Sequence, residues 1–590
     1  MRRPRLSYRL SRTRAALLAT VAAAALTVTA VLVAPTSSAG PTTVTTTAGR
    51  DLPVTQPTLT CAQLAAQDFS RLDGAATSIT AASVVAKSDT NKYEYCKVTG
   101  VIAPQIHFEL RLPTQTYRGR YLQLGCGGYC GNVNVTTSPA ATAGCAPLTD
   151  GTFVVGQDDE GHTGTGGADV WATDPQLKVD FGYRSEHVFA VASKAIVKSF
   201  YGAPPTYSYY SGCSDGGREA LLEAQRYPDD FDGIQAGAPA FNQTALNGFE
   251  EAYLGTVDFR ADGSVILPAT KLDMLHAAVI AKCADSGIGN GTIQDPDACG
   301  FDPAALRCPD DEDAANCLTG EQVTVVQKIY RGVTAPDGTH LYSGGEAKGS
   351  EPQWAGLVIP KEGQTQQDLF MYRIGSGFLR WLGTWTAKPE LELTADLFTK
   401  RSFEKTMKEF AGIYDATDPD LTPFYKSGGK LIMWHGLADG YIPPTGSIAY
   451  RQAVLDTVGS TTADRFYRFY TVPGMFHCSG GYGATSVDFL SPLMDWTESG
   501  KAPGAVTAAK LDSDGSTAYT RPVYPYPQQV KYAGTGDRDD AANYVAYTPK
   551  GKTADDAFRW AGAPFKSGTQ LWCESTNGRD MSCARRRSKS

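Results

Sequence analysis

Residues 207–217 read Tyr-Ser-Tyr-Tyr-Ser-Gly-Cys-Ser-Asp-Gly-Gly. The first five residues predict a short strand, and residues 218–226 predict a helix, so Gly-Cys-Ser-Asp-Gly is a Gly-x-Ser-x-Gly sequence at a strand-to-helix turn. Such a turn leaves no room for side chains at its glycines, and it projects the serine oxygen out of the sheet. An ordinary Gly/Ser turn is the alternative, but the flanking strand and helix favour a nucleophile. We therefore expect Ser214 to be that nucleophile.

Short apolar strands alternate with helices on both sides of this turn. The predicted strands are 120–124, 153–155, 430–434 and 465–472, and the predicted helices are 187–201 and 446–458. This alternation is typical of a parallel α/β sheet rather than a β-sandwich. The sequence therefore predicts an α/β fold of the α/β-hydrolase type.

The alternation of short strands and helices stops between residues 241 and 424. This stretch instead contains Asp/Gly-rich loops, many aromatic residues and two closely spaced cysteine pairs. We interpret this stretch as a large lid-domain insertion into a catalytic core formed by residues 40–240 and 425–560. Residues 561–590 form a predicted C-terminal extension that ends in a basic, solvated tail.

The N-terminus has the order of a secretory signal. Six arginines precede an uncharged run rich in Ala, Leu and Val at 15–33, and a small-residue stretch ends at Ala39. An uncleaved membrane anchor is the alternative, because such a run could nearly span a bilayer. Its many alanines and threonines favour cleavage, so we expect residues 1–39 to be removed and the protein to be extracellular, with no membrane contact afterwards.

The charge balance limits the partners. The 590 residues contain 54 Lys and Arg against 62 Asp and Glu, a formal net charge of −8, and removal of the signal takes away six arginines and no acidic residue. Binding to nucleic acid depends on a surplus of Lys and Arg. The composition therefore excludes a generally basic nucleic-acid binder.

Thirteen cysteines in a secreted chain predict disulfides. Local spacing suggests the pairs Cys283–Cys299, Cys308–Cys317 and Cys573–Cys583, although connectivity does not follow from sequence alone. The odd count leaves one unpaired thiol or an intermolecular bridge. Cys126 and Cys130 have the spacing of zinc ligands but lack a second pair, so zinc is not expected.

A serine nucleophile needs a histidine base and an acid that orients it. In an α/β-hydrolase the chain order is Ser, then Asp or Glu, then His. The histidines after Ser214 are His276, His340, His435 and His477. The first two lie in the insertion and are interpreted as structural.

Two successive predicted strands end near an acid and a histidine. Asp439 lies just beyond the strand at 430–434, and His477 follows the strand at 465–472. Open α/β sheets place their sites at the carboxyl ends of the strands. We therefore predict His477 as the base and Asp439 as the acid, with His435 as a packing or hydrogen-bonding neighbour.

Backbone N–H groups stabilise the oxyanion of an acyl-transfer intermediate. We expect one from Asp215, the residue after the nucleophile, and another from Gly127 or Gly128 in the glycine-rich stretch that follows the strand at 120–124. A simple flexible turn is the alternative for that stretch.

The predicted nucleophile and base each have a cysteine neighbour, Cys213 before Ser214 and Cys478 after His477. This arrangement resembles the tannase and feruloyl esterase family, which also contains a hydrolase of mono(2-hydroxyethyl) terephthalate. The resemblance extends from about Cys61 to Tyr547. It also rests on Cys317-Leu-Thr in the insertion and on three longer stretches: Phe231-Asp-Gly-Ile-Gln-Ala-Gly-Ala-Pro239, Gly428-Gly-Lys-Leu-Ile-Met-Trp-His-Gly-Leu-Ala-Asp439 and Val472-Pro-Gly-Met-Phe-His-Cys478. It implies a disulfide between Cys213 and Cys478.

The resemblance also implies a lid that binds calcium structurally. The corresponding stretch, residues 283–295, is poorer in Asp than the family pattern. Calcium favours six to eight oxygen ligands. The residues that the resemblance offers as ligands are Asp285 and Asn290, with the carbonyls of Ile288 and Thr292, and a solvated Asp/Gly loop is the alternative.

The expected function is that of a secreted serine esterase acting on aromatic carboxylic esters. The lid aromatics Phe378, Trp381 and Trp385 are candidates to stack on the acyl ring, although most buried aromatics are core residues. Feruloyl esters come first, since an acidic secreted enzyme suits ester-decorated plant-wall polysaccharide, and gallate or terephthalate monoesters remain open. A secreted serine peptidase and a non-catalytic binding protein with the same fold are the alternatives.

Overall fold

A nine-stranded mixed sheet lies at the centre of the molecule. The structure is a computed structural model and describes residues 48–164, 167–285, 287–549, 561, 565–575 and 581–585. The strands of the sheet are β1 (Thr77–Val85), β2 (Tyr95–Ile102), β3 (Ile106–Pro113), β4 (Arg120–Leu124), β5 (Phe153–Asp158), β6 (Tyr207–Cys213), β7 (Gly233–Gly237), β8 (Lys430–Gly436) and β9 (Tyr467–Val472). The predicted signal segment and residues 586–590 of the basic tail lie outside the described residues.

The strand order is β1-β2-β3-β5-β4-β6-β7-β8-β9. Pairs from β5 to β9 are parallel, whereas β1, β2, β3 and β5 pair with one another in antiparallel fashion. Parallel strands are joined by helical crossovers that cover the sheet. This is the predicted α/β-hydrolase architecture.

Both faces of the sheet are buried. Successive residues of β4 point to opposite faces: Tyr121 belongs to an apolar cluster with Phe231, and Leu122 belongs to a second cluster with Trp434. The helices that cover the first face are Ser185–Tyr201, Asp215–Arg226 and Pro444–Val458, and Leu490–Ser499 covers the second. Burial on both sides explains the continuous apolar run of residues 431–434 in β8.

The predicted elements occur with small shifts at their ends. The strand at 120–124 is confirmed, and the helix predicted at 187–201 begins two residues earlier. The largest difference is in β5, which was predicted at 153–155 and continues through the polar residues Gln157 and Asp158. Asp158, Asp159 and Glu160 are all buried. Polar composition was misleading here because these carboxylates lie inside the molecule.

The insertion leaves and re-enters the sheet between β7 and β8, which pair directly with Gly237 opposite Trp434. Its longer helices are Leu272–Cys283, Gly320–Arg331, Phe370–Gly377, Lys400–Thr406 and Thr422–Ser427. Phe249 and Phe378 of the insertion share one apolar cluster with Leu221 of the core. The insertion therefore packs on the core within one compact unit, and the boundaries at 241 and 424 remain predictions.

Three smaller antiparallel sheets complete the fold. They comprise Ser486–Val487, Val506–Leu511 and Thr517–Val523; Gln529–Tyr532 and Tyr544–Tyr547; and Leu571–Ser575 with Met581–Arg585. Among the described helices, none combines the length and apolar character needed to cross a membrane.

Six disulfides link the described residues. They are Cys61–Cys96, Cys126–Cys130, Cys213–Cys478, Cys283–Cys299, Cys308–Cys317 and Cys573–Cys583. The three pairs suggested by local spacing and the one implied by the family resemblance are present. The remaining thiol, Cys145, is buried, and burial raises its pKa to about 12.

A buried ion pair fixes the end of the sheet opposite to Ser214. Arg120, at the start of β4, donates from Nε and Nη2 to the two carboxylate oxygens of Glu498, both at 2.7 Å. Tyr209 donates its hydroxyl to the same carboxylate at 2.7 Å, and the backbone N–H of Arg50 donates to it at 2.6 Å. The side chains of Arg120 and Glu498 are 2% and 0% exposed, so neither charge has water as a substitute partner.

Glu498→Ala should therefore destabilise the fold severely, because it leaves the Arg120 guanidinium buried without a counter-charge. We expect the free energy of unfolding to fall by about 3–5 kcal/mol, measured by denaturant titration. The control is Lys501→Ala, which removes a 79%-exposed partner of Asp495 and should change stability by less than about 1 kcal/mol. Equal losses in the two variants would contradict this account.

Candidate active site

Ser214 lies at the junction of β6 and the helix Asp215–Arg226, with φ 68° and ψ −121°. A positive φ is costly for a residue with a side chain and persists only where the surroundings enforce it. Here the neighbouring backbone enforces it. A Cβ on Gly212 would lie 2.3 Å from the carbonyl oxygen of Gly216, and a Cβ on Gly217 would lie 2.3 Å from that of Gly237. The turn therefore requires glycine at Gly212, as predicted for the first glycine of the sequence motif, and also at Gly217, which the motif does not include.

The predicted nucleophile, base and acid meet at the carboxyl ends of β6, β8 and β9. His477 Nε2 lies 2.9 Å from Ser214 Oγ, and His477 Nδ1 lies 2.7 Å from Asp439 Oδ2. Ser214 and His477 are partly exposed, whereas Asp439 is fully buried. An imidazole between a hydroxyl and a carboxylate can accept the hydroxyl proton while the carboxylate holds the ring orientation.

Backbone and side-chain contacts hold Asp439 as a carboxylate. Its Oδ1 accepts hydrogen bonds from the N–H groups of Tyr441 at 2.8 Å and Ile442 at 3.1 Å. Burial by itself raises the pKa of Asp439, but the charges and hydrogen bonds of His477 and His435 outweigh it and hold the pKa well below the usual range. The acid is therefore charged at neutral pH.

His435 lies beside the site, as predicted. It is completely buried, its Nε2 lies 3.0 Å from the carbonyl of Ile442 and 3.3 Å from Asp439 Oδ2, and its Nδ1 lies 2.8 Å from Ser447 Oγ. A carbonyl can only accept, so this pattern fits a proton on Nε2 and a hydroxyl donating to Nδ1. His276, predicted as structural, pairs with Glu351 at 2.7 Å in the insertion.

Gln353 is a residue of this site that the sequence did not predict. It belongs to the insertion, and its Oε1 accepts hydrogen bonds from the N–H of Gly440 at 2.8 Å and from that of His477 at 3.3 Å. One amide oxygen thus joins the acid loop to the base loop. A single glutamine in a short helical turn carries no sequence signal, because its two partners, Gly440 and His477, lie in the core and are distant in sequence.

The disulfide Cys213–Cys478 connects the residue before Ser214 to the residue after His477, with its Cα atoms 5.9 Å apart. It therefore ties the nucleophile turn to the histidine loop across 265 residues of sequence. Such a bond restricts the relative position of the hydroxyl and the imidazole.

The glycine-rich loop after β4 lies against the nucleophile turn. The N–H of Gly216 donates to the carbonyl of Cys126 at 2.8 Å, and Gly127 and Gly128 line the same cavity as Ser214. Asp215 begins a helix, so its N–H has no acceptor within that helix. Of the predicted oxyanion donors, Gly127 and Gly128 therefore lie in a loop that contacts the nucleophile turn, and Asp215 follows Ser214 directly.

The cavity at Ser214 has a volume of about 630 Å³ and is lined in part by Phe370 and Tyr441. The Tyr441 ring stacks on the His477 ring with centroids 4.7 Å apart, and Phe370 meets Tyr441 edge-on at 5.0 Å. These two aromatics, one from the insertion and one from the core, form an apolar wall next to the reactive groups.

Phe378, Trp381 and Trp385 are not among the residues that line this cavity, so the expected position of the ring-stacking residues is corrected. Phe378 is fully buried and packs edge-on against Tyr414, and Trp381 packs against the main apolar cluster. Trp385 is 48% exposed and packs on Phe410. Aromatic composition led to the prediction of a lid domain but did not indicate which of its rings would face Ser214.

The four residues offered for calcium are engaged in contacts with other protein groups, and Ser286 of the same loop lies outside the described residues. The two Asp285 oxygens accept from the N–H of Gly287 at 2.6 Å and from Gln294 Nε2 at 2.7 Å. The Ile288 carbonyl faces Arg521 Nε at 3.4 Å, the Thr292 carbonyl accepts from the N–H of Asp285, and Asn290 bonds to Tyr519. One carboxylate, with donors at its oxygens and a guanidinium beside the loop, does not fit an ion that favours many oxygen ligands.

Comparison with known proteins places the chain among ester hydrolases. The family model for tannase and feruloyl esterase matches residues 89–547. A probable feruloyl esterase from Arthroderma benhamiae is 33% identical over 460 residues, which cover 74% of this chain and 81% of that protein. A mono(2-hydroxyethyl) terephthalate hydrolase from Piscinibacter sakaiensis is 30% identical over 527 residues, with 77% and 85% covered. The solved structure of feruloyl esterase B from Aspergillus oryzae, 27% identical, superposes with a TM-score of 0.69 and covers 80% of this chain and 97% of that one.

Replacing Cys213 and Cys478 together by serine should reduce turnover while the fold persists. A displacement of about 1 Å between reacting groups can cost about 100-fold in rate, and we expect a loss of kcat of that order. The measurements are kcat on an aryl ester and the thermal unfolding midpoint. Cys61→Ser with Cys96→Ser, which removes a disulfide outside the site, is the control and should retain kcat per folded molecule. Unchanged turnover in the Cys213 and Cys478 pair would refute the positioning role.

Asp439→Asn keeps the side-chain shape and removes its charge. We expect kcat to fall by about 10³–10⁴-fold, because the amide favours the wrong histidine tautomer and does not stabilise the imidazolium. The matched control is Asp456→Asn, an exposed aspartate on the helix Pro444–Val458, which should keep wild-type kcat.

The effect of Asp439→Asn on the free energy of unfolding should also depend on pH. Because the pKa of Asp439 is lowered on folding, its charge stabilises the fold above the pKa of an unfolded aspartate, about 3.9. That contribution is lost as the pH falls. The free energies of unfolding of wild type and Asp439→Asn should therefore differ most near neutral pH and converge in acid, and a difference independent of pH would contradict the charge assignment.

Proposed function

The chain belongs to the tannase and feruloyl esterase family and is a carboxylic ester hydrolase, and on that premise we propose that it is a secreted serine esterase that cleaves aromatic carboxylic esters through Ser214, His477 and Asp439. The observation that carries this proposal is the hydrogen-bonded series from Ser214 Oγ through the imidazole to the buried Asp439 carboxylate. Its position at a strained turn beside a 630 Å³ cavity supports the same assignment.

In the proposed acylation step, Ser214 Oγ attacks the ester carbonyl carbon while His477 Nε2 takes the hydroxyl proton. The carbonyl π electrons move to oxygen, and the N–H groups of Asp215 and of Gly127 or Gly128 donate to the resulting oxyanion. The intermediate then collapses, the carbon–oxygen bond to the alcohol breaks, and His477 returns the proton to the leaving oxygen.

Deacylation repeats these steps with water as the nucleophile. His477 takes a proton from water, the hydroxyl group attacks the acyl-enzyme, and the bond to Ser214 Oγ breaks as that oxygen regains its proton. The products are a carboxylic acid and an alcohol, and the enzyme returns to its starting state. The Asp439 carboxylate stabilises the imidazolium that forms in both halves of the reaction.

We propose feruloyl-type esters, including those on plant-wall polysaccharide, as the preferred substrates. Phe370 and Tyr441 form an apolar wall at the cavity, and aromatic rings favour offset or edge-on packing against one another. The relatives named feruloyl esterase support this acyl group, whereas the relative named for a terephthalate monoester keeps that class as the alternative.

Secretion is supported by the disulfides and by the N-terminal sequence. Six disulfides among the described residues suit an oxidising compartment. The signal-like order of residues 1–39 provides the route, although these residues lie outside the described structure.

A substrate panel tests the proposal. The panel compares kcat/KM for methyl ferulate, propyl gallate, mono(2-hydroxyethyl) terephthalate and a chromogenic peptide. Ser214→Ala is the inactive control, and Ser211→Ala, in β6, shows the effect of removing a neighbouring serine hydroxyl. We expect the highest value for methyl ferulate, none for the peptide, and a loss of at least about 10³-fold in Ser214→Ala. Undiminished hydrolysis by Ser214→Ala would refute the mechanism. Preference for another ester would refute the proposal that feruloyl esters are the preferred substrates.

A further inference from the structure

The disulfide Cys126–Cys130 lies at the active site and was not suggested by the chain's sequence pattern. Its Cα atoms are 5.5 Å apart, and it closes a ring of five residues that contains Gly127 and Gly128. Both cysteines line the cavity that holds Ser214. The ring therefore surrounds the two residues that would supply one of the oxyanion donors.

Cys126 is joined to the nucleophile helix by its own backbone. Its carbonyl accepts from the N–H of Gly216 at 2.8 Å, and its N–H donates to Glu219 Oε2 at 3.2 Å. Glu219 is buried, and the Tyr210 hydroxyl donates to the same oxygen at 2.5 Å. The first residue of the ring is thus fixed to the helix that begins at Asp215.

Cys130 contacts the same helix through its sulfur. Its Sγ lies 3.6 Å from Asp215 Oδ2 and 3.4 Å from Glu219 Oε1. A disulfide sulfur has no proton to donate, so these are packing contacts. The bond therefore lies directly on the first turn of the helix whose leading N–H belongs to Asp215, the other expected oxyanion donor.

The residues enclosed by the ring are the freest part of this loop. Gly127 is exposed, and a Cβ placed on it would meet no atom within 4 Å. Gly128 has φ 67°, in the region where glycine moves freely. The one turn bond across them runs from the N–H of Cys130 to the carbonyl of Gly127, at 3.0 Å. Two adjacent glycines with so few neighbours need a covalent constraint to hold a fixed direction.

The far side of the ring is anchored to other elements. The carbonyl of Tyr129 lies 2.7 Å from His162 Nε2, and its hydroxyl donates to the carbonyl of Ile374 in the insertion at 2.9 Å. These contacts hold the ring as a whole against core and lid. They leave the orientation of the enclosed peptide groups to the disulfide.

We propose that Cys126–Cys130 is a positioning disulfide that fixes the Gly127–Gly128 peptide groups against the Asp215 N–H and so completes the oxyanion hole. The proposal rests on the proposed function, since it concerns the oxyanion of that reaction. Oxyanion donors act through preorganisation, and loss of one donor costs about 10²–10³ in kcat. Loosening a donor rather than deleting it should cost less.

The test is Cys126→Ser with Cys130→Ser, compared with Cys308→Ser with Cys317→Ser. The second pair removes another short-range disulfide, nine residues apart, whose cysteines do not line the cavity at Ser214. We expect kcat per titrated Ser214 to fall about 10- to 100-fold in the first pair, with KM and the thermal midpoint close to wild type. The control pair should keep wild-type kcat.

A second measurement does not depend on ester turnover. A fluorophosphonate phosphonylates Ser214 through an intermediate whose oxygen also needs the oxyanion donors, so its second-order rate constant should fall by a similar factor in the first pair. Wild-type hydrolysis measured alongside tests the proposed function separately. Cys126→Ala with Cys130→Ala carries the same expectation and guards against a folding defect caused by the serines.

Wild-type kcat and wild-type phosphonylation in folded Cys126 and Cys130 variants would overturn the proposal. A loss of the same size in the Cys308 and Cys317 control would also overturn it, because the effect would then be one of general stability. A wild type that reacts with the fluorophosphonate but hydrolyses none of the esters would defeat the proposed function, while the phosphonylation rates would still decide the role of the disulfide.

Discussion

The site depends on a steric constraint at the turn after β6, where two glycines leave no space for a Cβ atom. The backbones at Gly212 and Gly217 approach neighbouring carbonyl oxygens so closely that only hydrogen fits. That approach forces Ser214 into positive φ and turns its hydroxyl away from the sheet. The helix that follows begins with Asp215, whose N–H has no acceptor within the helix. The proposed nucleophile and one of the proposed oxyanion donors thus belong to one local conformation.

The other reactive groups are brought to this turn by sheet order and by covalent links. Adjacent parallel strands end at the same edge, which places Asp439 after β8 and His477 after β9 within reach of Ser214. The acid lies between two imidazoles and accepts two backbone hydrogen bonds, so it stays charged in a buried position. Cys213–Cys478 and Gln353 then join loops that the sheet alone would leave independent.

The predictable part of this site is the part that local sequence determines. A glycine-flanked serine between a strand and a helix, and an acid and a histidine at successive strand ends, could be assigned because short-range sterics and strand order fix them. Gln353, Phe370 and Tyr441 were not predicted, since their positions depend on how a long insertion folds back over the core. Strand β5 extends beyond its predicted end at residue 155, because composition does not reveal that the polar residues Gln157 and Asp158 are buried. The family resemblance offered calcium ligands with a solvated loop as the alternative, and hydrogen bonds within the loop and to Arg521 engage those ligand atoms.

If the turn makes Ser214 a covalent nucleophile, an acyl-enzyme must form at this residue during turnover. Rapid-quench mass spectrometry during hydrolysis of 4-nitrophenyl ferulate should then detect a transient mass increase of one feruloyl group. The increase should be confined to the peptide that contains Ser214 and should form and disappear at rates that match turnover. A feruloyl group on a different residue, or full turnover with no acylated peptide at any time, would contradict this role of Ser214.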